Sequence, residues 1–239
     1  MKTDHLGRLY GVGVGPGDPE LLTLKAARLI ASARIIAYPA PQGGESFARQ
    51  IVKDHISPEA REITIEIPMR PERAAAQPAY DKGAEDIRKQ LEAGEDVVVL
   101  CEGDPFFYGS FMYLFERLQA DFEAEVIPGV NSVSACASRL QQPLTGRNDV
   151  LTVLPGSMDD DAMTARLNMG GAFAIMKFGR HLPRIRALLK KLDLIDKAGY
   201  VERATLSNER VLPLKELGED AVPYFSMILI YDGEETWKK

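Results

Sequence analysis

The nonapeptide Gly11-Val12-Gly13-Val14-Gly15-Pro16-Gly17-Asp18-Pro19, soon followed by a helical pattern and a second strand, restricts this chain more than any other stretch. Its spacing is that of a nucleotide-type loop with one departure. A dinucleotide fingerprint carries glycines at relative positions one, three and six, whereas the sixth position is Pro16 counted from Gly11 and Asp18 counted from Gly13. Pro16 offers no amide proton, and neither frame forms the cradle that a pyrophosphate needs. The loop suits a cofactor that needs close backbone approach without phosphate binding, a description that S-adenosylmethionine meets. A strand ending in a tight turn is the plainer alternative, and the loop by itself leaves both open.

Downstream residues favour the functional reading. Asp18 is placed to cap a helix with Pro19 at its first position, and Glu20 follows where the helix dipole favours an anion. Leu22, Ala26, Leu29, Ile30 and Ala33 then recur on one helical face before the strand Arg34-Ile35-Ile36-Ala37-Tyr38. A strand, loop, crossover helix and second strand pair in parallel.

Composition limits the partners. The 239 residues suffice for one large domain or two small ones, and 45% hydrophobic with 27% charged residues is ordinary for a soluble protein. A formal net charge of -6 argues against broad binding to nucleic acid. No apolar run reaches the roughly 18 residues of a membrane span and no leader pattern opens the chain, so a cytoplasmic location is expected. Cys101 and Cys136 stand far apart and read as buried packing residues; with only His5, His55 and His181 besides, no metal site is expected.

Further along, residues 45–54 and 80–93 read as helices, the latter closed by Gly94, and 61–67 as a strand. Asp96 to Cys101 is a continuous apolar run typical of a strand covered on both faces. Phe111, Leu114, Phe115 and Leu118 form a helical stripe, followed by a short strand ending at Ile127. This alternation predicts a doubly wound, mostly parallel α/β domain. In the second half, residues 150–154, 172–178, 198–203, 210–214 and 225–231 read as strands, with helices only at 159–168 and around Ile185, Leu188, Leu189 and Leu192. Short connections there predict antiparallel pairing and a smaller mixed-sheet α/β domain. The boundary is expected near residue 120, giving domains 1–120 and 121–239, with the crossing itself anywhere up to Gly146.

Two more loops are candidates for chemistry, although Gly-Asp-Pro read alone is also a common turn. Cys101-Glu102-Gly103-Asp104-Pro105-Phe106-Phe107-Tyr108-Gly109-Ser110 follows the buried strand, at the carboxyl rim where parallel sheets bind ligands. Gly103 permits an unusual backbone angle, and Asp104 can accept from a hydroxyl or an ammonium group. Ile127-Pro128-Gly129-Val130-Asn131-Ser132 leads into a helix whose first amides make a polar clamp, although Asn131 and Ser132 also suit simple capping.

Together the three loops resemble the tetrapyrrole methylases, S-adenosylmethionine-dependent enzymes that methylate corrin and sirohaem precursors. The resemblance extends through Ala174-Ile175-Met176-Lys177-Phe178 and Val201-Glu202-Arg203-Ala204-Thr205. Within the family, Tyr38-Pro39-Ala40-Pro41, Phe106 to Phe111 and Pro143-Leu144-Thr145 are similar to the precorrin-2 branch of cobalamin synthesis, and the Gly-Arg-Gly of the uroporphyrinogen branch is missing. The resemblance implies a two-domain fold with the cofactor in the cleft between the domains, S-adenosyl-L-homocysteine as product, and a homodimer. It implies that Pro16 lines the cofactor site, that the backbone of Glu102, Gly103 and Asp104 receives the methionine portion, and that Phe107, Tyr108, Asn131, Ser132, Met176 and Ala204 contact the cofactor. Met176 reads equally as plain core.

The substrate implied is a small polyanionic tetrapyrrole with eight carboxylates, which an acidic protein holds only with a local cationic rim. Arg70, Arg73, Arg139, Arg147, Lys177 and Arg180 are the candidates, arginine being suited to bidentate carboxylate binding; each also reads as a solvated surface charge. Arg184 and Arg186 read as the wet face of their helix. No side chain stands out as a catalytic base. The competing readings are a sibling methylase acting at another ring position or on a cobalt-containing precursor, a nucleotide-binding regulatory module without chemistry, and a methylase of a macromolecule.

Overall fold

The computed structural model describes residues 5–68, 73–218 and 221–233. The chain divides into two compact units, Met1–Asn131 and Ser132–Lys239. In the first, β1 (Leu9–Gly13), β2 (Ile35–Pro41), β3 (Arg61–Ile67), β4 (Val97–Cys101) and β5 (Ala124–Ile127) form one sheet in the order β3-β2-β4-β1-β5, every pair parallel. The helices are α1 (Leu24–Ser32), α2 (Phe47–Ile51), α3 (Arg73–Glu92) and α4 (Phe111–Leu118).

Side chains alternate across a strand, and both faces of this sheet are covered. Leu9, Ile35, Ala37, Val97, Val99 and Cys101 pack with Tyr80, Ala84, Ile87 and Leu91 of α3 and with Phe111, Leu114 and Leu118 of α4. Val12, Ile36, Tyr38, Val98 and Leu100 pack on the other side with Ala26 and Ile30 of α1 and Ala48 and Ile51 of α2. All five residues of β4 are buried, as its unbroken apolar run requires. Two glycines make the packing possible: a Cβ at Gly11 would lie 2.4 Å from the Phe111 ring, and one at Gly83 in α3 would lie 2.9 Å from Ile65 of β3.

The division falls at Asn131, inside the span expected from residue 120 to Gly146, because β5 pairs with β1 and closes the first sheet. The single helix expected after Asp18 is two pieces. Asp18 caps a 3-10 turn, Pro19–Leu21, by accepting from Glu20 N at 2.9 Å. Leu22 is then extended, and Thr23 caps α1 by accepting from Ala26 N at 3.1 Å. The helix read at 45–54 is shorter, α2 followed by a 3-10 turn at Lys53–His55. Conversely, α3 starts at Arg73 rather than at residue 80, carrying Pro78 inside it. Pro78 lacks one amide for the ladder, and the apolar face from Tyr80 to Leu91 holds the helix nonetheless.

The second unit begins with α5 (Ser132–Leu140) and has one mixed sheet of β6 (Leu151–Pro155), β7 (Gly171–Met176), β8 (Ala198–Glu202), β9 (Arg210–Pro213) and β10 (Ser226–Asp232), with α6 (Asp160–Leu167) and α7 (Leu182–Lys191). The order is β6-β7-β10-β8-β9; β6 and β7 are parallel and the other pairs antiparallel, as expected from the short connections. One face buries Leu154, Phe173, Ile175, Tyr200, Ile228 and Ile230 under Met163, Leu167, Ile185 and Leu189 of α6 and α7. The other receives α5, whose Leu140 occupies the space that a side chain at Gly199 would need. Arg184 and Arg186 are not merely wet: they donate to the carbonyls of Gly156 at 2.6 Å and Gly218 at 3.0 Å. Among the described residues no helix is long and apolar enough to cross a membrane.

Phe173 is 1% exposed in the middle of the second core. Phe173→Ala should lower the unfolding free energy of this unit by about 3–5 kcal/mol, measured as a shift in the chemical denaturation midpoint followed by circular dichroism.

Candidate active site

The first site-forming device lies in the first unit, where β4, β1 and β5 are neighbours and end on the same side of the sheet. The first two of the loops that leave them are stitched backbone to backbone. Val14 N donates to Cys101 O at 2.9 Å; Gly15 N donates to Gly103 O at 3.2 Å and Gly103 N to Gly15 O at 2.8 Å. Approach this close requires glycine: a Cβ at Gly13 would lie 2.6 Å from both Gly103 O and Gly129 N, and one at Gly129 would lie 2.1 Å from Gly103 O. Pro16, at the turn of the first loop, is half-buried.

Asp104 completes the join through its side chain. Its Oδ1 accepts from Phe106 N at 2.9 Å and Phe107 N at 3.0 Å, and its Oδ2 accepts from Gly129 N at 3.1 Å. Both oxygens thus serve the loops themselves, beside the role toward a ligand's hydroxyl or ammonium expected from sequence. Gly103 is left-handed at φ +63, and a Cβ there would meet nothing closer than Asn131 Cα and Val130 O, each at 3.9 Å. That open side, bordered by Val130 O and Asn131 Cα, is a cradle into which a side chain at 103 would project. Tyr108 is also left-handed at φ 56 and is 41% exposed beside half-buried Phe107, their ring centroids 5.3 Å apart.

Behind the cradle the chemistry is muted. Burial, reinforced by the Glu102 charge, pushes the Cys101 thiol up to about 11. Tyr80, beside Tyr113, Cys101 and Glu102, is pushed up to about 12, again chiefly by burial. Both stay protonated near neutrality and act as packing, as does Cys136 of α5, pushed up to about 12 by burial and then by Glu209. Tyr38, part of the branch-specific sequence, donates to Glu62 Oε2 at 2.5 Å, while Arg49 grips the same carboxylate through Nε at 2.6 Å and a second nitrogen at 2.8 Å. Among the described residues no group of three or more His, Cys, Asp or Glu side chains is placed to hold a metal ion.

The second unit brings other candidates to one edge of its own sheet. Met176 ends β7 and is 7% exposed; Ala204, two residues beyond the end of β8, is 8% exposed. Lys177, next to Met176, is exposed and left-handed at φ 55. Arg180 follows on a 3-10 turn with its Nε 3.4 Å from His181 Nε2, and burial, then Arg180 and Arg184, hold the His181 pKa below its usual range. Arg139 is engaged by Glu209 at 2.7 Å, whose Oε2 also accepts from Thr205 N at 2.6 Å, so this arginine braces the 203–209 loop. Arg147 is exposed and left-handed at φ 44. Ser132 starts α5. Arg73 starts α3, its side chain outside what is described; Arg70 lies outside the described residues.

The sequence reading missed one feature here. Glu202 is a buried carboxylate, 7% exposed, that accepts from Tyr200 Oη at 2.5 Å and faces Arg203 at 3.5 Å, with Ser226 Oγ 3.2 Å from the same phenol. Burial and the hydrogen bond to Glu202 raise the Tyr200 pKa above the ordinary phenol range. Arg203 and Thr205 immediately follow in left-handed conformation, φ 51 and φ 71. A β-branched residue there is strained, and the buried network fixes the turn on which Ala204 sits. A charged residue at the end of an apolar strand, Val201-Glu202-Arg203, was the available signal.

The model of the Tetrapyrrole (Corrin/Porphyrin) Methylases matches residues 8–218. Among curated proteins, precorrin-2 C(20)-methyltransferase of Sinorhizobium sp is 42% identical over 238 residues, covering 96% of this chain and 97% of that one. Cobalt-precorrin-2 C(20)-methyltransferase of Salmonella typhimurium is 31% identical over 227 residues, covering 94% and 96%. Among solved structures, a cobalt precorrin-4 methyltransferase has the same fold, with a TM-score of 0.75 at 21% identity over 94% of each chain. The chain belongs to the tetrapyrrole methylases, a family of S-adenosylmethionine-dependent methyltransferases.

Gly103→Val should oppose the left-handed backbone and fill the open side of the cradle. Affinity for S-adenosyl-L-homocysteine should fall at least about tenfold, roughly 1.4 kcal/mol, by titration calorimetry. Normal affinity in a folded variant would reduce the Gly-Asp-Pro loop to a turn.

Proposed function

We propose that this chain transfers the methyl group of S-adenosyl-L-methionine to the C-20 meso carbon of precorrin-2, giving precorrin-3A in cobalamin biosynthesis. The observation that carries this is the end-to-end likeness to the Sinorhizobium precorrin-2 methylase, at an identity well above that to the solved relative. The glycine-lined cradle supports the cofactor part of the reading: it admits close backbone approach and has a proline where a phosphate would seek an amide. In this reading Pro16, the backbone of 102–104, Phe107, Tyr108, Asn131 and Ser132 hold the cofactor, together with Met176 and Ala204. A homodimer and a cytoplasmic location belong to the same reading, on family likeness and sequence alone.

When bound, the cofactor supplies a sulfonium methyl with an already activated leaving group. The protein's contribution is to bind and align, and effective molarities of about 10⁵ to 10⁸ M show how far alignment lowers a barrier. The nucleophile belongs to the substrate, an electron-rich meso carbon conjugated to pyrrole nitrogens; it displaces S-adenosyl-L-homocysteine and afterwards releases its proton to water, so no strongly basic side chain is required before attack. Asp104, whose carboxylate accepts from three amides, orients the loops. Arg147, Lys177 and Arg180, exposed on the second unit, receive substrate carboxylates in this reading, with Arg70 and Arg73 from the first. Arg139 acts through Glu209 on the 203–209 loop instead.

Incubation with precorrin-2 and, separately, cobalt-precorrin-2, each with ¹³C-methyl donor, is the deciding experiment. The label should appear at C-20 by NMR; label at another ring position would overturn the regiochemistry, and cofactor binding without transfer would favour a regulatory module.

A second measurement separates substrate from cofactor binding. Arg147→Ala should leave the cofactor Kd nearly unchanged while raising KM for the macrocycle at least about tenfold, since one charge-assisted hydrogen bond contributes about 1.5–3 kcal/mol.

A further inference from the structure

In the second sheet β7, β10 and β8 are neighbours, and β10 runs against both, so the ends of β7 and β8 and the start of β10 share one edge. Lys177 follows β7, Arg203 follows β8, and Tyr224 and Phe225 immediately precede β10. The two aromatics are 62% and 41% exposed, and their rings meet edge to face with centroids 5.2 Å apart. They sit on firm ground: Arg203 N donates to Phe225 O at 2.8 Å, extending the β8–β10 ladder beyond its last named pair. Ser226, next along, donates to Pro223 O at 2.7 Å and contacts the Tyr200–Glu202 pair. Arg203 itself faces Glu202 at 3.5 Å.

Single exposed apolar residues are normal on a protein surface. An adjacent aromatic pair, locked by the sheet and flanked by a cation on each neighbouring strand, has the features of a stacking surface. Lys177 and Arg203 are anchored two strand spacings apart, about 9.5 Å. What this edge complements is a flat π-rich body with carboxylates at its periphery: with the rings nearly perpendicular, one takes the body face to face and the other meets it edge on, and the ammonium and guanidinium take the rim. Met176 and Ala204, the second-unit residues proposed for the cofactor, flank the same two cations in sequence.

We propose that Tyr224 and Phe225 form a stacking platform for a cyclic tetrapyrrole, with Arg203 and Lys177 binding carboxylates on its periphery. The ligand class rests on the proposed function; the platform rests on the geometry of this edge.

The test uses the full chain and uroporphyrin, a stable cyclic tetrapyrrole octacarboxylate, followed through its absorbance on titration. The double variant Tyr224→Leu with Phe225→Leu keeps apolar bulk and removes both rings; its uroporphyrin affinity should fall at least about tenfold, while Tyr224→Phe should stay within about twofold of the unmutated chain. Affinity for S-adenosyl-L-homocysteine should be the same in all three. Unchanged uroporphyrin binding in the double variant, no binding by the unmutated chain, or an equal loss of cofactor affinity each overturns the platform. Methyl transfer to precorrin-2 is assayed in the same preparations. A chain that binds uroporphyrin through the pair yet leaves precorrin-2 unmethylated sinks the proposed function and keeps the platform. A chain that methylates precorrin-2 with the same KM in the double variant does the reverse.

Discussion

Close contact between three glycine-bearing backbones is the constraint on which the candidate site depends. The reciprocal hydrogen bonds between Gly15 and Gly103, and the approach of Gly129 to both Gly13 and Gly103 O, leave no room for a β-carbon at the centre. Parallel strands supply the condition for this, since β4, β1 and β5 deliver their following loops to the same rim. The Asp104 carboxylate then stabilises the join by satisfying amides of its own loop and of the loop after β5. Hydrogen bonds to a charged acceptor contribute more than neutral ones, about 1.5–3 kcal/mol each. The cradle at Gly103 is thus organised by the protein itself.

The second unit solves a comparable problem with side chains. Its key turn, 203–205, has two non-glycine residues in left-handed conformation, which costs free energy unless neighbours hold it. Glu202 with Tyr200 on one side and Glu209 with Arg139 and Thr205 on the other provide that support. A buried carboxylate is tolerated because it is hydrogen-bonded and faces an arginine. One unit therefore achieves its unusual backbone by omitting side chains, the other by bracing them.

The sequence was most legible where local rules dominate. The apolar run of β4, the glycine loops and the mixed pairing of the later strands each follow from residue type and spacing, and the structure has them. It was less legible where a distant partner decides. The pairing of β5 with β1 joins residues far apart in sequence, so sequence alone bounds the division only between residue 120 and Gly146. The start of α3 was read at residue 80 rather than 73, because the packing that holds Pro78 within the helix, Tyr80 to Leu91 against the sheet, is a tertiary fact. Asp104 and Arg139 both read as ligand contacts because charge in a loop carries no record of its partner; the amides of Phe106, Phe107 and Gly129 and the carboxylate of Glu209 had already engaged them. Tyr224 and Phe225 left no signal because exposure is not written in residue type.

Gly11 carries one more implication. The Phe111 ring from α4 enters the space its missing side chain leaves on β1, so strand and helix are keyed to each other by a single hole and a single plug. A larger residue at 11 fits only if 111 shrinks, and interior packing is dense enough that a mismatch of one methyl group is felt. Two positions a hundred residues apart are thereby bound to change as a pair, and the ring that fills the hole also opens the helix directly after the Gly-Asp-Pro loop. Volume exchanged deep in the core reaches the rim through that helix, which ties the shape of the candidate site to a residue that never meets a ligand.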